Sequence, residues 1–534
     1  MLLNLLRSLV RGAPRSPAVP RPAAHPEAKD ASPAVLDPLS EARSALDRGA
    51  LANARLHLER ARGAGENSVA CDVMLATVLA QQGEVSSAER ILTPWLDHRP
   101  AVPDAHNTMG NIRRMQGRLD DAIAHYDLAL ATQPDFAVAL SNRALCQHES
   151  GRFEDALRGY QRAIAIEPQD VTATTNLAAL EFDLGLDADA RTHLEQVLHI
   201  APGLAQAHWV LGFGLLRGGD FDRGWTEYEW RERDSGRTQP SPDLPEWRGG
   251  KIAEGPLLVC AEQGLGDQIM FASCIEDLTN VVDDCVVECD PRLVRLFERS
   301  FPRIRVVPHL KTGIEPWRND RIAPRVKTWL GSLPLQYRKH RGAFPERRGY
   351  LSADPLQVDA WRTRLSALGT GLKVGISWRG GTPSTRRSTR SIPLVDWLPL
   401  LRLPNVHFID LQYGDHAEEL DAVVRTHDIR LTRWPQALAA DYDATAALVD
   451  ALDLVISVQT SVVHLAGALG KEAWVLVPRV PEWRYGNQGR DMPWYPSVRL
   501  FRQMSTDWAE VLTEVNMELS RKTDHLRHSA GTYL

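Results

Sequence analysis

The stretch PDAHNTMGNIRRMQGRLDDAIAHYDLALATQPDF at residues 103–136, continued by AVALSNRALCQHESGRFEDALRGYQRAIAIEPQD at 137–170, decides the fold of the first half of the chain. Laid one above the other, the segments align Gly117 with Gly151, Ala122 with Ala156, and Pro134 with Pro168. The same 34-residue step runs outward in both directions, through Gly49, Gly83, Gly185 and Gly219, through Ala54, Ala88 and Ala190, and through Pro100 and Pro202. Three registers in phase define a repeat, and the residue types say what the repeat is made of. Glycine relieves the backbone at a tight turn, a small side chain lets two helices cross closely, and proline ends the second helix. Gly110 and Ala122 are therefore expected at close-contact points, with Tyr126 and Ala129 continuing the apolar face of the second helix.

The pattern resembles the tetratricopeptide repeat. About six units are expected over residues 35–236, the first and last degenerate as caps of a solenoid are. Such arrays bind protein segments on their concave face, which is the expectation here; the alternative is an element that packs against the rest of the chain or dimerises. The last unit runs into FDRGWTEYEWRERD at 221–234, where Trp225, Tyr228 and Trp230 fall on a helical period and read as the seal toward the next domain. Residues 237–252, rich in Pro, Ser and Gly, break the periodicity and read as a linker.

From residue 256 short apolar runs alternate with helical stretches, the pattern of parallel sheets wrapped by helices. PLLVC at 256–260 reads as a strand, AEQGLGDQ as a glycine-rich turn and IMFASCIEDL as a helix. Gly264 and Gly266 expose backbone amides at that helix start, where an anionic group or sugar is held. Two glycines alone are not the dinucleotide fingerprint. A second half opens with LKVGISW at 372–378, followed by RGGTPSTRRSTRS with Arg379, Gly380, Gly381, Arg386, Arg387 and Arg390. Guanidinium groups and free amides in such a loop match a diphosphate. After the strand in DLVISVQTSVVHLAGALGK, at 453–471, Thr460 and Ser461 stand at a helix start and His464 one turn later; for His464 a structural role stands beside a ligand-binding one. Gln412 follows the strand VHFID, and it and Trp483 are placed for nucleoside contact or, for Trp483 especially, core packing.

The segments EQGLGDQIMF, GISWRGG, RSIPL, LQYG, SVQTSVVHLAGALGK, EWRYG and PWYPSVRLFRQ occur in the order seen in bacterial tetratricopeptide-repeat glycosyltransferases related to the ADP-heptose heptosyltransferases, and the chain resembles that family over most of its length, repeats included. The resemblance implies an α-solenoid followed by a GT-B fold of two Rossmann-like domains. The acceptor side is expected at 253–350 and the nucleotide-sugar side at 351–534, ending in a C-terminal helix. It further implies metal-independent, inverting transfer without a cofactor, the nucleotide sugar being substrate, and it aligns Asp267 with the family's catalytic aspartate. A carboxylate there can deprotonate an acceptor hydroxyl; the other role open to Asp267 is to cap its helix. Where relatives commonly carry Asp, this chain has Gln459, which leaves open a different donor preference or lost activity.

The remaining features exclude more than they assign. With 62 Lys plus Arg against 68 Asp plus Glu, a formal charge of −6 offers no footprint for nucleic acid. Cys71, Cys146, Cys260, Cys274, Cys285 and Cys289 form no C-x-x-C pair, as suits a reducing compartment. Cys285 and Cys289, four apart in one strand, are expected to be buried structural thiols rather than a metal or redox site. No run approaches the roughly 18 apolar residues of a membrane span, and MLLNLLRSLV at 1–10 lacks the basic flank and cleavage site of a secretory signal, which leaves a frayed terminus or a short amphipathic helix for a membrane surface or a partner. Residues 1–34 are expected to be disordered, residues 11–34 being a Pro-, Ala- and Arg-rich linker, and the chain to be cytoplasmic. The expected function is transfer of a sugar from a nucleotide sugar to a hydroxyl of a protein, flagellin or another bacterial surface protein, presented by the repeats. The expectation from another class is a non-catalytic scaffold with a degenerate transferase domain; a lipopolysaccharide-directed transferase leaves the solenoid without an obvious use.

Overall fold

The structure is a computed structural model and describes residues 38–66, 68–98, 101–231, 244–252, 254–310, 317, 323–381, 389–434, 441–505 and 507–531. The segment expected at 1–34, residues 237–243 of the expected linker, Pro100, Arg386 and Arg387 lie outside the described residues. The chain divides into two compact units, one through Val210 and one from Leu211.

The first unit is a helical solenoid. Its helices follow one another as Pro38–Asp47, Leu51–Gly63, Val69–Gln81, Val85–His98, Pro103–Met115, Leu119–Thr132, Ala137–Glu149, Phe153–Ile166, Val171–Leu184 and Asp187–Ile200. The turn glycines of this unit, Gly49, Gly83, Gly117, Gly151 and Gly185, all have φ between +70° and +87°, and a Cβ on any of them would meet nothing within 4 Å. Backbone conformation, not crowding, demands glycine there. Gly110 is the opposite case, since a Cβ would lie 2.5 Å from the ring of Tyr126. Ala54, Ala88, Ala122, Ala156 and Ala190 are fully buried where paired helices cross. Pro134 and Pro168 stand two residues beyond the helix ends at Thr132 and Ile166. Successive units are also tied by buried polar pairs, Arg114 to Glu149 at 2.8 Å and His148 to Asp183 at 3.0 Å, with Asn142 Nδ2 donating to Asn107 Oδ1.

The second unit contains two parallel sheets. Strands β1 (Leu257–Cys260), β2 (Cys285–Cys289), β3 (Arg305–Pro308) and β4 (Val326–Trp329) form the first, in the order β3-β2-β1-β4. The second runs β10-β11-β9-β8-β5-β6-β7, from β5 (Leu372–Ser377), β6 (Val406–Asp410), β7 (Leu431–Thr432), β8 (Leu454–Val458), β9 (Ala473–Val477), β10 (Asp491–Met492) and β11 (Tyr495–Arg502). Among these named strands the β10–β11 pairing is antiparallel and the rest are parallel. The central strands are buried along their whole length, which is why they read as continuous apolar runs rather than alternating ones. The C-terminal helix Ala509–Gly531 lays Val511, Leu512, Val515 and Leu519 on the same core as Trp397 and Phe501.

In each sheet the strand order reverses beside the first strand, between β1 and β4 and again between β5 and β8. Ligands of open parallel sheets bind at the carboxyl ends of strands at such a point. The two sheet halves are joined by Tyr350 and Leu351, whose amides donate to Ala468 O, and by Arg299, which grips both oxygens of Asp443 at 2.6 and 2.7 Å. All six cysteines are buried and free. Burial pushes the thiols of Cys146 and Cys285 up to about 12, which makes them inert.

Candidate functional site

After β1 the chain turns at Gly264 into the short helix Leu265–Phe271. Asp267 Oδ2 reaches back to accept the Gly264 N–H at 3.2 Å, so it caps that helix. Its other oxygen, Oδ1, is ion-paired with Arg484 Nη2, a residue 217 positions later. Arg484 also lies 3.6 Å from Glu482, and its guanidinium stacks 4.7 Å over the ring of Trp483. Burial opposes the charge on Arg484, but Asp267 and Glu482 outweigh it and raise its pKa. Glu482 in turn pairs with Arg390 Nη1 at 3.2 Å, and Arg390 Nη2 donates to Gln459 O at 2.7 Å. Arg390, Glu482, Arg484 and Asp267 thus form one alternating chain of charges.

The helix Ser461–Ala468 starts directly after β8, with Thr460 as N-cap. It meets the Asp267 turn closely, for a Cβ on Gly266 would stand 3.0 Å from His464 Cδ2 and 3.4 Å from Ser461 Cα. Thr460 Oγ1 is engaged with Ser457 Oγ at 3.0 Å, and Ser461 Oγ accepts from Tyr442 Oη at 2.9 Å. His464 Nδ1 lies 3.1 Å from Tyr495 Oη, and burial, seconded by Arg484 and Arg390, pushes its pKa down to about 3. His464 is therefore neutral, and the positive charge beside Asp267 belongs to the arginines. Gln459 is buried, and neither atom of its carboxamide has a protein partner.

Beyond β5 and β6, Gln412 acts as a bracket. Its Oε1 accepts from Ser377 Oγ and from the amides of Trp378 and Arg379, while Nε2 donates to Arg379 O and Tyr413 O. The carboxamide is thereby spent on holding the two strand ends together. Arg379 donates to Asp415 O at 2.7 Å and lies 3.3 Å from Glu419. Gly380 is required by close approach, a Cβ there falling 2.8 Å from Gln459 O, and Gly381 by its φ of +75°. The sequence does not single out a neighbouring pair. His416 Nε2 meets Asp410 Oδ2 at 2.7 Å while its Nδ1 meets Gly414 O at 2.8 Å. Both partners are acceptors, an arrangement that favours the doubly protonated ring. Burial lowers its pKa, and Asp410 and the Gly414 carbonyl more than reverse this, leaving it raised.

A cleft of about 640 Å³ is lined by Leu265, Gly266, Gln412, Tyr413, His416, Tyr442 and Ser461 together with Arg292 and Arg433, and Asp267 follows the lining residue Gly266 in the same turn. The structure thus brings Gly264, Gly266 and Asp267 against Ser461 and His464, and Arg379, Gly380 and Gln412 against the end of β8. Trp483 goes to packing: it joins Trp225, Phe271 and Trp494 in one aromatic cluster. Within this unit the helix Phe221–Tyr228 belongs to the site's support. Trp225 Nε1 donates to Arg338 O, and Arg231 grips Glu262 bidentately at 2.9 and 2.6 Å just ahead of the Asp267 turn. Arg484 and Glu482 lie in the quoted EWRYG segment; spacing to the turn near 267 could not reveal their part, because sheet crossing alone brings them there. Arg502 secures that segment by donating to the carbonyls of Tyr485, Gly486, Gln488 and Gly489, and burial lowers its own pKa to about 10.

The fold and this cleft define a tetratricopeptide repeat protein with a C-terminal α/β region of parallel sheets. The tetratricopeptide repeat family matches residues 101–169 and 147–211. Protein FlbA of Caulobacter vibrioides is 31% identical over 457 residues, which cover 82% of this chain and 69% of that protein. The chain belongs to the FlbA family. Similar solved structures include a tetratricopeptide protein of Thermus thermophilus, 19% identical, covering 34% of this chain and 97% of that one, with a TM-score of 0.32. MamA of Desulfovibrio magneticus is also 19% identical, covering 30% and 89%, with a TM-score of 0.26. Among the described residues no helix is long and apolar enough to cross a membrane, and no cluster of His, Cys, Asp and Glu has the makings of a metal site.

Proposed function

We propose that this protein is a glycosyltransferase of GT-B type, which transfers a sugar from a nucleotide sugar to a hydroxyl of a polypeptide bound by its repeats. The observation that carries the reading is the meeting of the Asp267 turn with the start of helix Ser461–Ala468 at the switch points of two parallel sheets. A helix start and buried arginines suit a diphosphate, and a carboxylate at the same point suits an attacking hydroxyl. Holding the acceptor on the array raises its concentration at the cleft, so weak contacts with the reacting residue suffice. The reaction needs no metal or cofactor in this reading, takes place in the cytoplasm, and has flagellin or another bacterial surface protein as acceptor, as the family resemblance implies.

A second reading, a binding scaffold with a spent transferase domain, draws on Gln459 and on the engagement of both Asp267 oxygens. Calorimetric titration of the full chain with UDP-, GDP-, ADP- and CMP-sugars separates the two. Binding of one donor, weakened at least tenfold in Arg379→Ala with Thr460→Ala, supports the transferase; no binding across the panel by folded protein supports the scaffold.

A further inference from the structure

Asp267 has a division of labour that the transferase reading alone does not contain. One oxygen holds the Gly264 N–H and stays with its own helix; the other is held by Arg484, from the far half of the unit. Each oxygen keeps a second acceptor position, and an incoming hydroxyl competes with Arg484 for Oδ1. Arg484 is able to release it. Its guanidinium is braced by the Trp483 ring and retains Glu482 on its other arm, so it can exchange one anion for another without becoming an uncompensated buried charge. Arg390, sharing Glu482, adds a second cation to the same chain of charges. His464 is neutral and adds none.

We propose that Arg484 is a substrate-operated gate on Asp267: the diphosphate of the donor takes over the guanidinium, and only then is Asp267 Oδ1 free to act as base. The inference rests on the transferase reading and supplies its order of events, donor before proton transfer. In the step itself the acceptor oxygen bonds to the anomeric carbon while its proton passes to Asp267 Oδ1. The bond from that carbon to the diphosphate breaks, and the nucleoside diphosphate leaves with the electron pair. Asp267 then returns its proton to water and re-pairs with Arg484 when the diphosphate departs. Arg484 is a donor-binding residue in this scheme, not only a brace, and a protein without donor is held inactive.

The test is affinity of the full chain for ADP, GDP, UDP and CDP, in the unsubstituted protein, Asp267→Asn, Arg484→Gln, Arg484→Lys and the Asp267→Asn/Arg484→Gln double variant, each checked for an unchanged unfolding midpoint. Asp267 and the diphosphate compete for one guanidinium, so Asp267→Asn is expected to tighten binding of the preferred diphosphate at least fivefold. Arg484→Gln is expected to weaken it at least tenfold, Arg484→Lys to fall between, and the double variant to match Arg484→Gln, the gain having vanished. If the unsubstituted protein binds a diphosphate and Asp267→Asn binds it equally or less well, the gate is refuted while the transferase reading stands. If neither of those two proteins binds any diphosphate, the transferase reading fails and the gate with it. Should Arg484→Gln not fold, the sign of the Asp267→Asn effect and the Arg484→Lys value still decide.

Discussion

The repeat array and the α/β unit solve the same problem, holding polar groups in a packed interior, by different means. In the array each glycine, alanine and proline answers to neighbours within about one repeat, as Gly110 answers to Tyr126. In the α/β unit the decisive partners are far away in sequence: Arg231 with Glu262, Arg299 with Asp443, Arg484 with Asp267. An error at one of these array positions is therefore expected to stay local, while one at these α/β pairs leaves a buried charge without its partner.

The most damaging substitution expected is Arg231→Met. It strands the buried Glu262 carboxylate, and a loss of about 3–5 kcal/mol is expected in denaturant unfolding followed by the tryptophans of the second unit. A fragment beginning at residue 237 lacks Trp225, Tyr228 and Arg231 and should share this defect, visible as aggregation on gel filtration. Gly110→Val sharpens the other side, since it drives a side chain into the Tyr126 ring and should cost about 1–3 kcal/mol, read as early unfolding of the array alone by hydrogen exchange. Gly151→Ala meets no atom but forces a side chain into a backbone of φ +82°, for a smaller loss of about 1–2 kcal/mol by the same measurement. A stabilising Gly151→Ala would show that the turn backbone is not what selects glycine.

The smallest expected effect is one of pH. The folded pKa of His416 is raised, so the stability it lends the 410–416 turn is complete below the unfolded value of about 6.5 and is lost as pH rises through the higher folded value. Hydrogen exchange of that turn, corrected for intrinsic rate, should show falling protection as pH rises through that window. Asp410→Asn removes the partner that raises the pKa and should abolish the dependence; a protection that rises with pH would contradict the cationic ring.

Much of this is legible without any coordinates. The 34-residue period carries the solenoid because each unit's turn and crossing are local requirements written into single residue types. The strands at 257–260 and 454–458, with the glycine turn after the first and the Thr460–Ser461 helix start after the second, are readable for the same reason, since buried parallel strands are apolar throughout. Roles at the cleft are less so. Thr460 and Gln412 look like ligand groups from their place after a strand, yet the hydroxyl of Thr460 turns to Ser457 and the carboxamide of Gln412 binds two strand ends together. Trp225, expected as a seal, shares one cluster with Trp483 and Phe271.

The array and the two α/β halves are readable from the chain alone, because they depend on periodicity and on residues next to one another, whereas Asp267 is singled out by family resemblance. That Arg484 holds Asp267, that burial keeps His464 uncharged and that Asp410 favours the charged form of His416 follow from contacts between distant segments. Each of those depends on which groups crossing strands bring within about 3 Å and on how far water is excluded around them, and neither distance nor burial is encoded in spacing along the chain.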